Sequence, residues 1–283
     1  MGLNIADMKE LAIRIRLETI KEIASLGFGH IGGSMSICET LAVLYGGELR
    51  CNPEHPEWEE RDRLIVSKGH SGPAVYAALA LRGFFPLEML QTLNRPGTHL
   101  PSHCDRLLTP GIDMTTGSLG QGLSVGVGLS LANRISRRDS YTYVIVGDGE
   151  LQEGQNWEAA MTASQMRLNR LILFCDSNKV QMNGRTGKIN DLSNLSERLA
   201  AFGWFVQSVD GNNLLQVLSA VHTAKEECER PCAIVLNTTK GYGCQYALSQ
   251  PICHSLPMTP ENVQADIERL ENELSEIKRE GSQ

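Results

Sequence analysis

The sequence predicts an α/β protein, a three-layer sandwich with helices on both faces of a mostly parallel central sheet. Two observations carry this expectation. Short, almost wholly apolar runs recur at 63–67, 141–146, 171–176, 204–209 and 232–237. Strands buried on both faces read this way, without the alternation of a half-exposed strand. Between the later runs lie segments of helical periodicity, and strands alternating with helices indicate parallel pairing. The chain has 283 residues, with 41% hydrophobic and 21% charged content. That is enough to build a sizeable core and gives no sign of general disorder.

The elements follow in order. Residues 6–25 form an amphipathic helix whose apolar surface includes Leu11, Ile15, Ile20 and Ile23. It stops at the glycine-rich GFGHIGGS, 27–34, and a second helix opens at Ser36. After a polar loop, strand 63–67 runs into Lys68-Gly69-His70 and a small-residue helix. Residues 94–118 read as irregular, and an unbroken loop of that length favours a functional role. Residues 117–135 read as a helix despite Gly122, Gly126 and Gly128; close backbone packing would offset their poor propensity. Beyond it come strand 141–146, helix 151–165, strand 171–176, helix 195–202, strand 204–209, helix 213–227 and strand 232–237. A charged helix, 260–280, opens on the cap-like Thr259-Pro260-Glu261-Asn262. Its narrow stripe of Val263, Ile267, Leu270, Leu274 and Ile277 packs either on this domain or on a partner. The expected division is therefore a domain at 1–258 and a charged helix and tail at 259–283.

Composition excludes several classes of function. The formal charge is -7 and no Lys/Arg cluster dominates, so a nucleic-acid role has no support. No stretch is long and apolar enough for a signal peptide or a membrane span. Met1-Gly2 lacks the Ser or Thr at position 6 that acylation favours. None of the eight cysteines forms a CxxC pair, and Cys228 and Cys232 have no matching pair to complete a zinc pattern. Free thiols in a reducing cytoplasm are expected.

Position along the chain points to a metal site. Asp148 lies at the carboxyl end of strand 141–146, and Asn178 lies just past the end of the next strand. Consecutive parallel strands of a βαβ unit usually lie side by side with both carboxyl ends on one edge, so the two side chains can converge. One carboxylate and one amide oxygen suit Mg²⁺ or Ca²⁺ and not zinc. Gly147 and Gly149 let the backbone approach a phosphate, and a helix N-terminus near Leu151 favours an anion there. The residues therefore predict a metal-bridged diphosphate. Gly27-Phe28-Gly29-His30-Ile31-Gly32 matches a dinucleotide fingerprint but follows a helix, which is the wrong context.

Of seven histidines, His30, His70, His103 and His254 stand in loops beside Gly, Pro or Ser. There they are candidate proton donors and phosphate partners, although spacing cannot show that they meet. His55 is expected in solvent and His222 in an ordinary helix. Pro101 argues against a helical ligand pair of His99 and His103.

The segments GHIGGS, DRLIVSKGH, TTGSLGQG, GDGELQEGQNWEA and DSN followed by Val180 together resemble transketolase, in the family's order. The resemblance runs from the first helix to about residue 255. It implies the thiamine diphosphate-binding fold and its diphosphate-binding domain. Asp148, Asn178 and the Val180 carbonyl would ligate Mg²⁺, with Ca²⁺ able to substitute. Gly149 and His70 would hold the diphosphate, and Gly117 and Leu119 would approach the aminopyrimidine. Glu153 resembles the subunit-interface carboxylate that communicates with the opposite cofactor site. His30, His103 and His254 resemble the substrate-channel histidines, although the wording around His254 departs from the family's usual pattern.

The activity so implied is transfer of a two-carbon ketol unit from a ketose to an aldose through a dihydroxyethyl adduct of the cofactor. Family members usually carry a second domain with the activating glutamate, which Glu153 and Glu158 cannot replace. This reading expects a chain inactive alone, completed by a C-terminal subunit carrying the pyrimidine-binding domain, in a two-plus-two assembly. A piece of a longer enzyme is the alternative. Pentose phosphates are the default substrates, with a sulfonated or branched ketose as the specialised alternative. Another thiamine enzyme or a non-catalytic diphosphate-binding module are the competing functions.

Overall fold

Asn4 opens the first helix by accepting a hydrogen bond from the Asp7 amide (3.0 Å), and Gly27, in the left-handed region, closes it. The computed structural model describes residues 2–280. In chain order, α1 (Ile5–Leu26) leads to β1 (Phe28–Gly29), α2 (Ile31–Met35) and α3 (Cys38–Val43). Then come β2 (Arg63–Val66), α4 (Gly72–Leu81), α5 (Gly122–Ile135), β3 (Thr142–Gly147), α6 (Gly154–Gln165) and β4 (Leu171–Ser177). A small hairpin, β5 (Val180–Gln181) and β6 (Gly184–Arg185), passes through α7 (Thr186–Ile189) to α8 (Leu195–Ala201). The described residues close with β7 (Phe205–Asp210), α9 (Leu214–Glu226), β8 (Cys232–Asn237), α10 (Gln245–Leu248), β9 (Leu256–Pro257) and α11 (Pro260–Glu280).

The central sheet has five parallel strands in the order β2-β3-β4-β8-β7. Alternate residues along each strand face opposite layers. Tyr143, Ile145, Ile172 and Phe174 join a core with α1, α3, α4 and α9, whereas Val144, Val146, Leu171 and Leu173 join one with α5, α6 and α8. This is the expected three-layer sandwich. Two of the expected glycine packings are present. A side-chain carbon on Gly122 would lie 2.3 Å from Ser67 Oγ, and one on Gly126 2.5 Å from Val144 Cγ2; Gly128 faces open space.

Some helix boundaries differ from the sequence expectation. α5 starts at Gly122 and not at 117, because Gly117 (φ 136°) and Gly120 (φ 88°) take backbone conformations no right-handed helix allows. α6 starts at Gly154, after a 3₁₀ turn at Glu150–Gln152, because the extended Glu153 interrupts the helix. α3 starts at Cys38, separated from the short α2.

Residues 94–118 contain no helix or strand but are firmly tied. Tyr76 Oη donates to the Pro101 carbonyl (2.9 Å), and Asp113 accepts from the Leu64 amide and pairs with Arg61 (2.8 and 2.6 Å). α11 packs along α1 through Val263 and Leu270, with Ile267, Leu274 and Ile277 half-buried at its side. The stripe therefore covers this chain's own first helix. All eight cysteines are unpaired. No helix among the described residues is long and apolar enough to cross a membrane.

Candidate active site

The carboxyl ends of β3 and β4 are adjacent, with Gly147 opposite Asp176. Asp148 and Asn178 continue these two strands, and both are buried. Asp148 accepts from the Gly149 amide through Oδ1 (2.8 Å) and from the Lys179 amide through Oδ2 (2.6 Å). Asn178 Oδ1 accepts from the Val180 amide (3.1 Å). The oxygens of Asp148 and Asn178 thus converge on one tight turn, held by consecutive amides. The Val180 carbonyl accepts from the Lys240 ammonium (2.7 Å), so it already faces a cation. Burial, and then the neighbouring Asp176 charge, raises the Asp148 carboxyl above its ordinary range. One carboxylate and one amide oxygen are hard-oxygen donors that suit a divalent cation, while the Val180 carbonyl is turned toward Lys240 in this structure.

Beneath this turn lies a buried ion pair absent from the sequence reading. Lys68 Nζ stands 2.5 Å from Asp176 Oδ2, both side chains being inaccessible. Asp176 also accepts from Ser36 Oγ (2.7 Å), Asn178 Nδ2 (2.9 Å) and Thr238 Oγ1. It thereby links the loops that lead from His30, His70 and Lys240 to the Asn178 turn. Burial pushes its carboxyl up, but Lys68 and the surrounding donors prevail and hold it below the ordinary range. A charged pair this deep needs such complete partnering.

The four loop histidines meet. The His30 ring lies 5.8 Å from His70, 5.4 Å from His103 and 5.4 Å from His254, and His70 lies 4.7 Å from His254. Pairing of Phe28 with Pro257 and of Gly29 with Leu256 brings the first and last of them together. The Thr116 amide donates to the Cys104 carbonyl (2.9 Å), fixing the His103 segment. Burial lowers the basicity of all four. His254 falls to about 4, with Lys240 adding to burial. Lys240 Nζ approaches His254 Nδ1 (3.2 Å). An ammonium can only donate, so Nδ1 accepts and Nε2 carries the proton. The remaining histidines stay apart: His55 is exposed, His222 bonds Glu48 (2.9 Å), and His99 meets the Leu108 carbonyl (3.2 Å).

Glu150, also missed by sequence reasoning, ties the glycine turns together. Its buried carboxylate accepts from the amides of Gly120 (2.9 Å) and Gly147 (3.0 Å) and from Ser67 Oγ. Gly117 abuts His103, since an added carbon would lie 3.3 Å from the ring. Leu119 is partly exposed on the same turn. Gly149 backs onto Gln181, and the exposed Glu153 lies against Gly120. A cleft of about 570 Å³ opens beside Asp148, lined also by Lys179, Arg185, Thr186 and Lys188. One signal for Asp176 and Lys68 was available in the sequence: each is a lone charge at the end of an apolar strand, on the edge where such sheets bind ligands. Lys240 carried no comparable signal.

SqwG, a subunit of 6-deoxy-6-sulfo-D-fructose transketolase from Clostridium sp. (strain MSTE9), is 52% identical over 94% of this chain and 97% of its own. A subunit of the apulose-4-phosphate transketolase from Actinobacillus succinogenes is 36% identical over 94% of this chain and 96% of its own. The transketolase structure from Campylobacter jejuni superposes with a TM-score of 0.86 at 28% identity, covering 98% of this chain. This chain spans 48% of that one. The family model described as transketolase, thiamine diphosphate binding domain, matches residues 8–276. With that match running through the sheet, the histidine loops and most of α11, the chain belongs to the transketolase thiamine diphosphate-binding domain family.

Proposed function

We propose that this chain is the cofactor-anchoring subunit of a two-chain transketolase, moving a two-carbon ketol unit from a ketose to an aldose. The observation that carries this reading is the convergence of His30, His70, His103 and His254 beside the Asp148–Asn178 turn. Thiamine diphosphate, when bound, supplies the nucleophile and electron sink for breaking a carbon–carbon bond. Asp148, Asn178 and the Val180 carbonyl would hold Mg²⁺, and His70 and Gly149 the diphosphate. Gly117 and Leu119 would line the aminopyrimidine. His30, His103 and His254 would then bind the sugar oxygens and move protons. Imidazoles kept neutral by burial suit that role, since each can donate at one nitrogen and accept at the other.

We propose a sulfonated ketose, 6-deoxy-6-sulfofructose, as the donor. The higher identity to the subunit named for that sugar than to the apulose-phosphate relative supports it. The relatives named as subunits match this chain over nearly their whole length, which supports a second chain carrying the pyrimidine-binding domain. A two-plus-two assembly with Glu153 at the interface follows from the same reading. Eight unpaired cysteines support a cytoplasmic setting.

The test is to combine this chain with its candidate second chain, thiamine diphosphate and Mg²⁺. Transfer to an aldose phosphate is then followed from 6-deoxy-6-sulfofructose, fructose 6-phosphate and xylulose 5-phosphate. Only the mixture should be active, with kcat/KM for the sulfonated donor about ten-fold higher or more, a discrimination of roughly 1.4 kcal/mol. Activity from this chain alone would refute the two-chain reading, and preference for a phosphorylated ketose would refute the donor.

A further inference from the structure

α11 reaches the loop that carries both Lys240 and His254. The loop is pinned at its two ends to Gly32: the Gly241 amide donates to the Gly32 carbonyl (3.0 Å), and the Gly32 amide donates to the Cys253 carbonyl (3.0 Å). Between these pins the chain swings out through Tyr242, Gly243 and α10. There it meets Asp266, a carboxylate on α11 that is only 3% exposed. Asp266 Oδ1 accepts from the Gln245 amide (2.8 Å), and Oδ2 accepts from the Tyr246 amide (2.9 Å) and the Cys244 thiol (3.4 Å). Arg269, one turn on, donates to the Gly243 carbonyl (2.6 Å) and braces Asp266 Oδ1 (3.3 Å).

α10 has only four residues, and its own cap, Cys244, makes no side-chain capping bond. The amides that begin such a helix need an outside partner, and Asp266 provides it. α1 supports the same loop from behind. Arg16, paired with the buried Glu39, lies 5.1 Å from the Tyr242 ring centre, and a side chain on Gly243 would collide with Arg16 Nε at 2.6 Å.

We propose that Asp266 is a positioning residue, which fixes the Lys240–His254 loop so that the Lys240 ammonium stays on His254 Nδ1 and beside the Asp148–Asn178 turn. Its catalytic consequence rests on the ketol-transfer reading; its structural consequence does not. The two contacts of Lys240, at 2.7 and 3.2 Å, depend on loop register, and displacing a reacting group by about 1 Å can cost a hundred-fold in rate. α11 is then part of the site's framework as well as a cover for α1.

The test compares Asp266→Ala, Asp266→Asn and Arg269→Gln in the full chain assembled with its partner. Amide hydrogen exchange and steady-state kinetics are read together. Asp266→Ala should speed exchange at Gln245 and Tyr246 and onward to His254, while β3 and β4 stay protected. kcat should fall about ten-fold or more, with donor KM changed less. Asp266→Asn, which keeps one acceptor oxygen, and Arg269→Gln should fall between this variant and the parent. They carry the test if Asp266→Ala does not fold. Unchanged exchange in the loop would overturn the proposal, and so would a loosened loop with unchanged kcat. If the parent assembly shows no ketol transfer, the functional reading fails, and the exchange pattern alone decides whether Asp266 holds the loop.

Discussion

His30 and His254 stand near opposite ends of the chain, yet their rings meet edge-on at 5.4 Å. The contact depends on a two-residue ladder, Phe28 with Pro257 and Gly29 with Leu256, directly beside both rings. The Met258 amide, donating to the Gly27 carbonyl (2.9 Å), extends the same closure. The ladder is short because its purpose is local: it fixes two loops that must share one pocket.

A pH dependence follows from the burial of His254. Its folded form titrates at about 4, below the ordinary histidine value of 6.5. Between those values the unfolded chain binds more protons, so the contribution to stability is complete above about pH 6.5 and is lost as the pH falls toward 4. Thermal melts of the cofactor-free chain and of His254→Asn should therefore diverge in this window. The parent should lose stability faster on acidification; parallel curves would contradict the assignment.

Asp148→Ala should weaken metal-dependent thiamine diphosphate binding by about a hundred-fold or more, since it removes the only carboxylate of the proposed donor set. The amides of Gly149 and Lys179 lose their acceptor, at a cost to stability of about 1–3 kcal/mol. Calorimetric titration with Mg²⁺ present and absent separates the two effects. Tight binding retained by the variant would count against the site.

The glycines of α5 divide into two kinds. Gly126→Ala drives a methyl group into Val144 and should cost about 1–3 kcal/mol. Gly128→Ala meets nothing within 4 Å and should gain up to about 1 kcal/mol from helix propensity. Urea denaturation of the isolated chain reads both, and equal effects would show that the spacing of α5 from the sheet is not set by Gly126.

Lys68→Met should cost about 3–5 kcal/mol, because it leaves the Asp176 charge buried without its main partner. The double variant Lys68→Met/Asp176→Asn should recover part of that loss. A single variant as stable as the parent would mean that Ser36, Asn178 and Thr238 suffice to hold the carboxylate.

Local periodicity made the layers legible. Runs such as Leu171 to Cys175 are buried on both faces and admit few other readings, and the stripe on α11 did mark a packed helix. The Asp148–Asn178 turn was legible for a related reason: β3 and β4 are consecutive and pair directly, so adjacency in sequence became adjacency in space. The start of α5 was misplaced because composition does not reveal which glycines take positive φ.

Residue order alone was enough to specify the types and sequence of the chemical groups: a carboxylate and an amide at strand ends, four loop histidines, and the motifs of a family. That the histidines converge, that Asp176 and Lys68 pair beneath them, and that α11 grips the Lys240 loop became visible only in the folded chain. The physical reason is distance along the chain. Strand and helix patterns arise from neighbours a few residues apart. The site instead depends on β8 pairing with β4 and on β9 returning to β1, pairings whose partners are separated by long stretches of sequence.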